Sequence, residues 1–211
     1  MPNKSFKPSR EAVSACVVTC TPLPVRAAVL LQSGVRFHME DSGQPPVPEA
    51  ILRIADSVDK TLAWQFFLMF SRFEYALKRE GYLRADRKDA QAALRSFARD
   101  HAAMFSADPD PPLQREISYI KRAPPKKQIQ KDRVLDWAEP TQFSGGPLLP
   151  WLLDQIQTIR NNLFHGGKFP QFAVSDPSRD RELIESALLV LGRSLKLNRD
   201  IERRFTEGIE L

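Results

Sequence analysis

At 211 residues the chain is long enough for one domain with appendages and a sizeable core. Its 42% hydrophobic and 27% charged composition is that of an ordinary globular protein, and its net charge of +5 has the sign of a nucleic-acid binder while suiting a solvated basic surface equally well. Cys16 and Cys20 lack the second Cys/His pair of a structural zinc clip and are too few for a disulfide framework, which points to a reducing cytoplasm. No apolar run approaches the ~20 residues that span a bilayer. Pro22, Pro24 and Arg26 break the weakly apolar stretch over 12–31 that a secretory signal would need.

Residues 1–48 show no sustained period and read as a disordered arm, or as a start placed too far upstream with Met39 the initiator. The domain itself is expected over 49–211. Leu62, Phe66, Met69, Phe70, Phe73 and Leu77 recur at helical spacing, and Trp64, Leu68 and Tyr75 occupy roughly the opposite face. A helix apolar on two sides is central in a bundle or shared with a partner chain. Gly81 supplies its stop.

Asp86 is placed to cap a second helix running to about Met104, with Leu94, Phe97 and Ala98 inward and His101 on its exposed side. Residues 106–146 are interrupted by Pro109, Pro111, Pro112, Pro124, Pro125 and Pro140, and read as an irregular insertion with short helices over 113–120 and 129–137. Between these, and running into the second, lies a basic cluster, Lys121, Arg122, Lys126, Lys127 and Lys131. Further helices are expected over 147–165 and, as one long element, over 178–205. With no internal repeat and no alternating strand pattern, the fold class is all-α, a helical bundle with an irregular insertion.

The helix over 147–165 holds the most informative pattern. Leu149, Leu152, Leu153, Ile156, Ile159 and Leu163 make one apolar arc, and Arg160 falls inside it. An arginine there stays charged and requires a carboxylate or a bound anion. Asp154, Asn161 and His165 share the other side, and Asn161 and His165, four apart, are surface neighbours. Gly166 and Gly167 then form a helix stop, so His165 sits at the negative end of the helix dipole, where imidazolium is favoured. Each group also has a structural role open to it: His165 as a C-terminal cap, Asn161 as a surface amide, Arg160 in an ion pair.

The run Arg160-Asn161-x-x-x-His165 at the end of a bundle helix resembles the Arg-x(4–6)-His motif of the HEPN superfamily, including the polar residue after the arginine. Phe70-Ser71-Arg72-Phe73-Glu74-Tyr75 resembles the early helix of bacterial HEPN proteins, which carries a polar residue toward the motif. The resemblance implies a helical bundle that dimerises about its motifs, as in metal-independent endoribonucleases of toxin–antitoxin and anti-phage systems. No metal or other cofactor is implied. Arg160 would bind the scissile phosphate, Asn161 would orient it or the histidine, and His165 would transfer protons. Glu74 would pair with Arg160, or equally with Lys78 one turn on. The basic cluster Lys121, Arg122, Lys126, Lys127 and Lys131 would steer RNA, or simply be a solvated loop. An antitoxin, if used, would be a separate chain.

The chemistry expected is attack by the RNA 2′-hydroxyl on its own phosphodiester, leaving a 2′,3′-cyclic phosphate. The alternative is a non-catalytic HEPN-type module that binds RNA, nucleotide or a protein partner. A plain helical scaffold is the third reading.

Overall fold

The computed structural model describes residues 37–38, 47–56, 58–108, 110–164 and 177–208. The chain divides into Met1–Val35, which lies outside the described residues, and Arg36–Leu211, which holds everything below. Of the stretch read as an arm, Met39 is also outside the described residues. Phe37–His38 (β1) and Val47–Pro48 (β2) do form a short antiparallel pair, which hydrophobic periodicity could not signal over two residues.

Glu49–Asp56 (α1) leads into Lys60–Arg79 (α2). The Asp59 carboxylate accepts from the Leu62 amide at 3.0 Å and so satisfies one of the donors orphaned at the start of α2. Phe66, Phe70, Phe73, Ala76 and Leu77 bury the expected face of α2, with Leu62 and Met69 packed at its margin. Gly81, at φ +82°, ends it in a left-handed conformation that glycine adopts without strain.

The next helix is shorter than its periodicity suggests. It runs only over Leu94–Asp100 (α3), followed by a 3₁₀ turn at Ala102–Met104. Asp86 caps nothing. Its carboxylate takes a two-pronged hydrogen bond from Arg84 at 3.0 and 2.6 Å, which holds it below the usual carboxylate range. The backbone ahead of α3 is instead held extended, by an antiparallel bridge of Leu83 with Ala92 and by the Ala93 amide donating to the Tyr82 carbonyl at 2.9 Å.

Pro111–Arg122 (α4) begins with Asp110 accepting from the Leu113 amide and two prolines in the first turn, where missing N–H groups cost nothing. The segment over 129–137, expected to be a short helix, is instead a β-hairpin: Lys127–Lys131 (β3) pairs antiparallel with Val134–Ala138 (β4). Its two-residue turn, Asp132-Arg133, has φ of 51° and 64°. Positive φ at both turn positions matches the strand twist. With neither turn residue a glycine, the hairpin signal is hidden in the sequence.

Leu148–Phe164 (α5) carries the motif. The last long helix expected breaks in two, Pro177–Leu195 (α6) and Arg199–Thr206 (α7). Asn198 makes the break, its side-chain oxygen accepting from the Asp200 and Ile201 amides at 3.0 and 3.2 Å. The far end of α7 is closed by Arg72 of α2, which donates to the carbonyls of Arg204, Phe205 and Glu207.

The described residues are thus predominantly helical. α6 packs on α2 and α4, α3 packs on α5, and α7 lies along α2. Their apolar faces share one core that includes Phe66, Phe73, Phe97, Ile120, Leu152 and Leu191. Each such side chain taken from water contributes about 1.5–3 kcal/mol, an upper estimate for a fully extended unfolded chain. None of the helices in the described residues is long and apolar enough to cross a membrane.

Candidate active site

α5 presents its apolar arc as the periodicity predicts. Leu149, Leu152, Leu153, Ile156 and Ile159 are buried, and Leu163 packs at the edge. Arg160 sits in this arc half-buried, with its guanidinium carbon 5.6 Å from the centre of the Phe70 ring on α2. That is cation–π distance, and a weakly hydrated guanidinium tolerates the position better than an ammonium would. Glu74 lies one helical turn beyond Phe70, so both approach from the same face of α2.

Glu74 is half-buried. Burial pushes its carboxyl above the ordinary value, and the charge of Arg160, then that of Lys78, pulls it back down. Both partners considered for this carboxylate therefore act on it, and Arg160 acts more strongly. Arg160 in turn points one N–H at the Asn161 side-chain oxygen, 3.2 Å away. The long side chain bends out of the apolar arc toward the polar stripe of its own helix. Phe70, Glu74, Arg160 and Asn161 form one constellation at the junction of α2 and α5. His165, Gly166 and Gly167 lie outside the described residues.

Two further polar side chains of α5 act structurally. Asp154, predicted on the stripe with Asn161, takes a bidentate pair from Arg95 of α3 at 2.9 and 3.1 Å. Asn162 donates from its side-chain amide to the backbone carbonyl of Lys126, 2.8 Å away at the base of the hairpin. The sequence signalled no role for Asn162, because its partner is distant along the chain and is a backbone atom.

The basic cluster divides. Lys121 and Arg122 end α4, with the Lys121 ammonium 4.5 Å from the Phe143 ring centre and the Arg122 guanidinium 5.7 Å from that of Tyr119. Lys126 lies 3.7 Å from Glu139. Lys127 and Lys131 stand exposed on β3, four residues apart and so on one face of the strand. The hydrogen bond from Asn162 sets this hairpin beside the last turn of α5.

His101 is not on an exposed face. It is 7% exposed, its ring lies 4.5 Å from that of Phe97, and it bonds at both nitrogens. Nδ1 is 2.9 Å from the Phe97 carbonyl and Nε2 is 3.3 Å from the Asn198 amide nitrogen. The Asn198 oxygen is committed to capping α7, so its NH₂ donates to Nε2, which puts the ring proton on Nδ1. His101 is a structural pin between α3 and α7.

Of the second apolar face of α2, Trp64 and Leu68 are uncovered among the described residues, with Phe67 beside them, whereas Tyr75 is half-buried against the Arg72 and Arg79 guanidinium groups. Trp64 is 59% exposed, Phe67 39% and Leu68 45%. Trp64 stacks on Phe67 at 5.3 Å, and Phe67 meets the Phe164 ring edge-on at 5.5 Å. Phe164 closes α5 and is itself 38% exposed, so the apolar patch runs up to the motif. Among the described residues no three or more His, Cys, Asp or Glu side chains are grouped to hold a metal ion. No protein-family model, curated protein or solved structure matches the chain.

Proposed function

We propose that the chain is a HEPN-type, metal-independent endoribonuclease with a HEPN-like helical domain, acting as a homodimer. The observation that carries this reading is Arg160. It is a half-buried guanidinium in an apolar arc, laid over Phe70, within the field of Glu74, and turned toward Asn161 beside the helix end that leads to His165. A charge is costly in such a place, and a planar fork held by neighbours is pre-organised for a phosphate.

In the reaction, a base removes the proton of the RNA 2′-hydroxyl and the oxygen attacks the adjacent phosphorus. The bond to the 5′-oxygen breaks, and an acid protonates that oxygen. Arg160 stabilises the extra negative charge on the phosphorane, Asn161 orients a non-bridging oxygen, and His165 carries the proton. The nucleophile belongs to the substrate, so DNA, lacking the 2′-hydroxyl, is not cut. Lys121, Arg122, Lys126, Lys127 and Lys131 supply the electrostatic attraction for the RNA backbone.

Each protomer offers half of the site, and the patch of Trp64, Phe67, Leu68 and Phe164 is the surface on which a second copy brings the other half. A cytoplasmic toxin–antitoxin or anti-phage setting, with a separate antitoxin chain, suits an enzyme of this kind.

The test is cleavage of end-labelled RNA in EDTA by wild type, Arg160→Ala and His165→Ala. Removing a donor to the developing oxyanion lowers kcat by about 10²–10³. Wild-type cleavage with cyclic-phosphate ends, lost in both variants, is the expected result. Equal cleavage by all three proteins would assign the activity elsewhere. RNA binding without cleavage would favour the non-catalytic module, in which Phe70 and Glu74 hold Arg160 for structure alone.

A further inference from the structure

We propose that the β3–β4 hairpin is a phosphate-gripping arm whose position selects the bond that is cut, and that Asn162 is the positioning residue that pins it to the motif helix. This rests on the ribonuclease reading above.

The hairpin has two unlike faces. The register pairs Gln128 with Trp137 and Gln130 with Leu135, so these share one face, and Gln128 and Trp137 are half-buried. The other face carries Lys127, Ile129, Lys131, Val134 and Asp136, all exposed. Two lysines four residues apart on an extended strand stand roughly 13 Å from each other, a spacing that meets separate phosphates along one nucleic-acid strand. Arg133 at the turn adds a third exposed cation. This face of the hairpin carries no aromatic residue to stack a base, so it meets the nucleic-acid backbone without sequence preference.

The base of the hairpin is fixed. Pro124 and Pro125 are buried, and Arg179 of α6 donates to the Pro124 carbonyl at 3.1 Å. On the exit side, Phe143 packs edge-on against Trp151, whose indole N–H donates to the Thr141 carbonyl at 3.0 Å. Asn162 adds the link to the motif itself, since it is the second residue after Arg160 and holds the carbonyl of Lys126, the residue before β3. A phosphate held by Lys127 or Lys131 is thereby set at a fixed offset from Arg160 and Asn161.

Full-length protein and a fluorescein-labelled single-stranded RNA provide the test, with affinity read by anisotropy at several salt concentrations and cut positions mapped on a sequencing gel. Lys127→Ala with Lys131→Ala should weaken binding and lower the salt slope by about one for each phosphate no longer neutralised. Asn162→Leu removes the donor at nearly the same shape and adds no charge. It should leave affinity within about twofold, spread the cuts over neighbouring phosphodiesters, and lower kcat by about tenfold or more. Asn162→Gln, which restores an amide donor, should recover part of the wild-type pattern.

Circular dichroism of each variant separates a misplaced arm from a misfolded chain. If Asn162→Leu misfolds, Asn162→Ala is the second variant, since it removes the same donor with no larger side chain to place and should also spread the cuts. Identical cut positions in wild type and the folded variants, or unchanged binding in the double lysine variant, would overturn this inference alone. A wild type that neither binds nor cuts RNA would sink the ribonuclease reading and this inference with it.

Discussion

Arg160 shows how one residue can violate its local pattern and still belong where it is. The apolar arc of α5 calls for a leucine, and the guanidinium instead lies over Phe70 with its fork turned toward Asn161. Glu74 completes the balance, and its carboxyl is raised by burial more than the neighbouring cations lower it. A carboxyl raised on folding contributes stability that is present below its unfolded value and lost as pH rises through its folded value. Glu74→Gln removes that titration. The stability of Glu74→Gln relative to wild type should therefore increase as pH rises through the carboxylate range, as read from urea midpoints between acid and neutral pH. A difference that shrinks as pH rises would mean that the attraction of Arg160, not burial, governs Glu74.

At the scale of elements, the informative device is Asn198. It breaks what periodicity reads as one helix, caps α7, and holds His101 by the same side chain. Asn198→Ala should cost about 1 kcal/mol for the cap. It should cost a further ~1–3 kcal/mol for the buried imidazole nitrogen left without its donor. Asn198→Ser keeps a capping oxygen but loses the amide, so its cost should fall between wild type and alanine. Urea denaturation would show these as lower midpoints at unchanged slope. A midpoint for alanine equal to wild type would mean that α7 is held by Arg72 and the packing of Ile201 alone.

For the whole molecule, the question is what covers Trp64, Phe67 and Leu68 on α2. Exposed aromatic side chains that adjoin one another and the motif helix are unlike the scattered apolar residues of a normal surface. With a second copy as the occupant, Trp64→Asp with Phe67→Asp should leave the helical circular dichroism intact, convert the dimer to a monomer in light scattering at micromolar concentration, and abolish cleavage. A charge at the centre of an apolar interface leaves an ion desolvated without a partner, which costs several kcal/mol. A wild type that is already monomeric would remove the half-site arrangement.

The sequence by itself determined the helices with long, clean apolar faces. Phe66, Phe70, Phe73 and Leu77 on α2 and Leu149 through Ile159 on α5 are where their 3.6-residue period puts them, because burial of a continuous stripe dominates local preference. Arg160 and Asn161 were legible for the same reason, as departures from a strong pattern. The tertiary structure decided what depends on distant partners. The hairpin, the true start of α3, the break at Asn198, the burial of His101 and the tether of Asn162 each rest on a few polar interactions. These join residues far apart in the chain, or involve backbone atoms that no side-chain pattern records. Whether Arg160 meets Asn161 was also decided there, since helical projection separates the two side chains and the bent guanidinium brings them together.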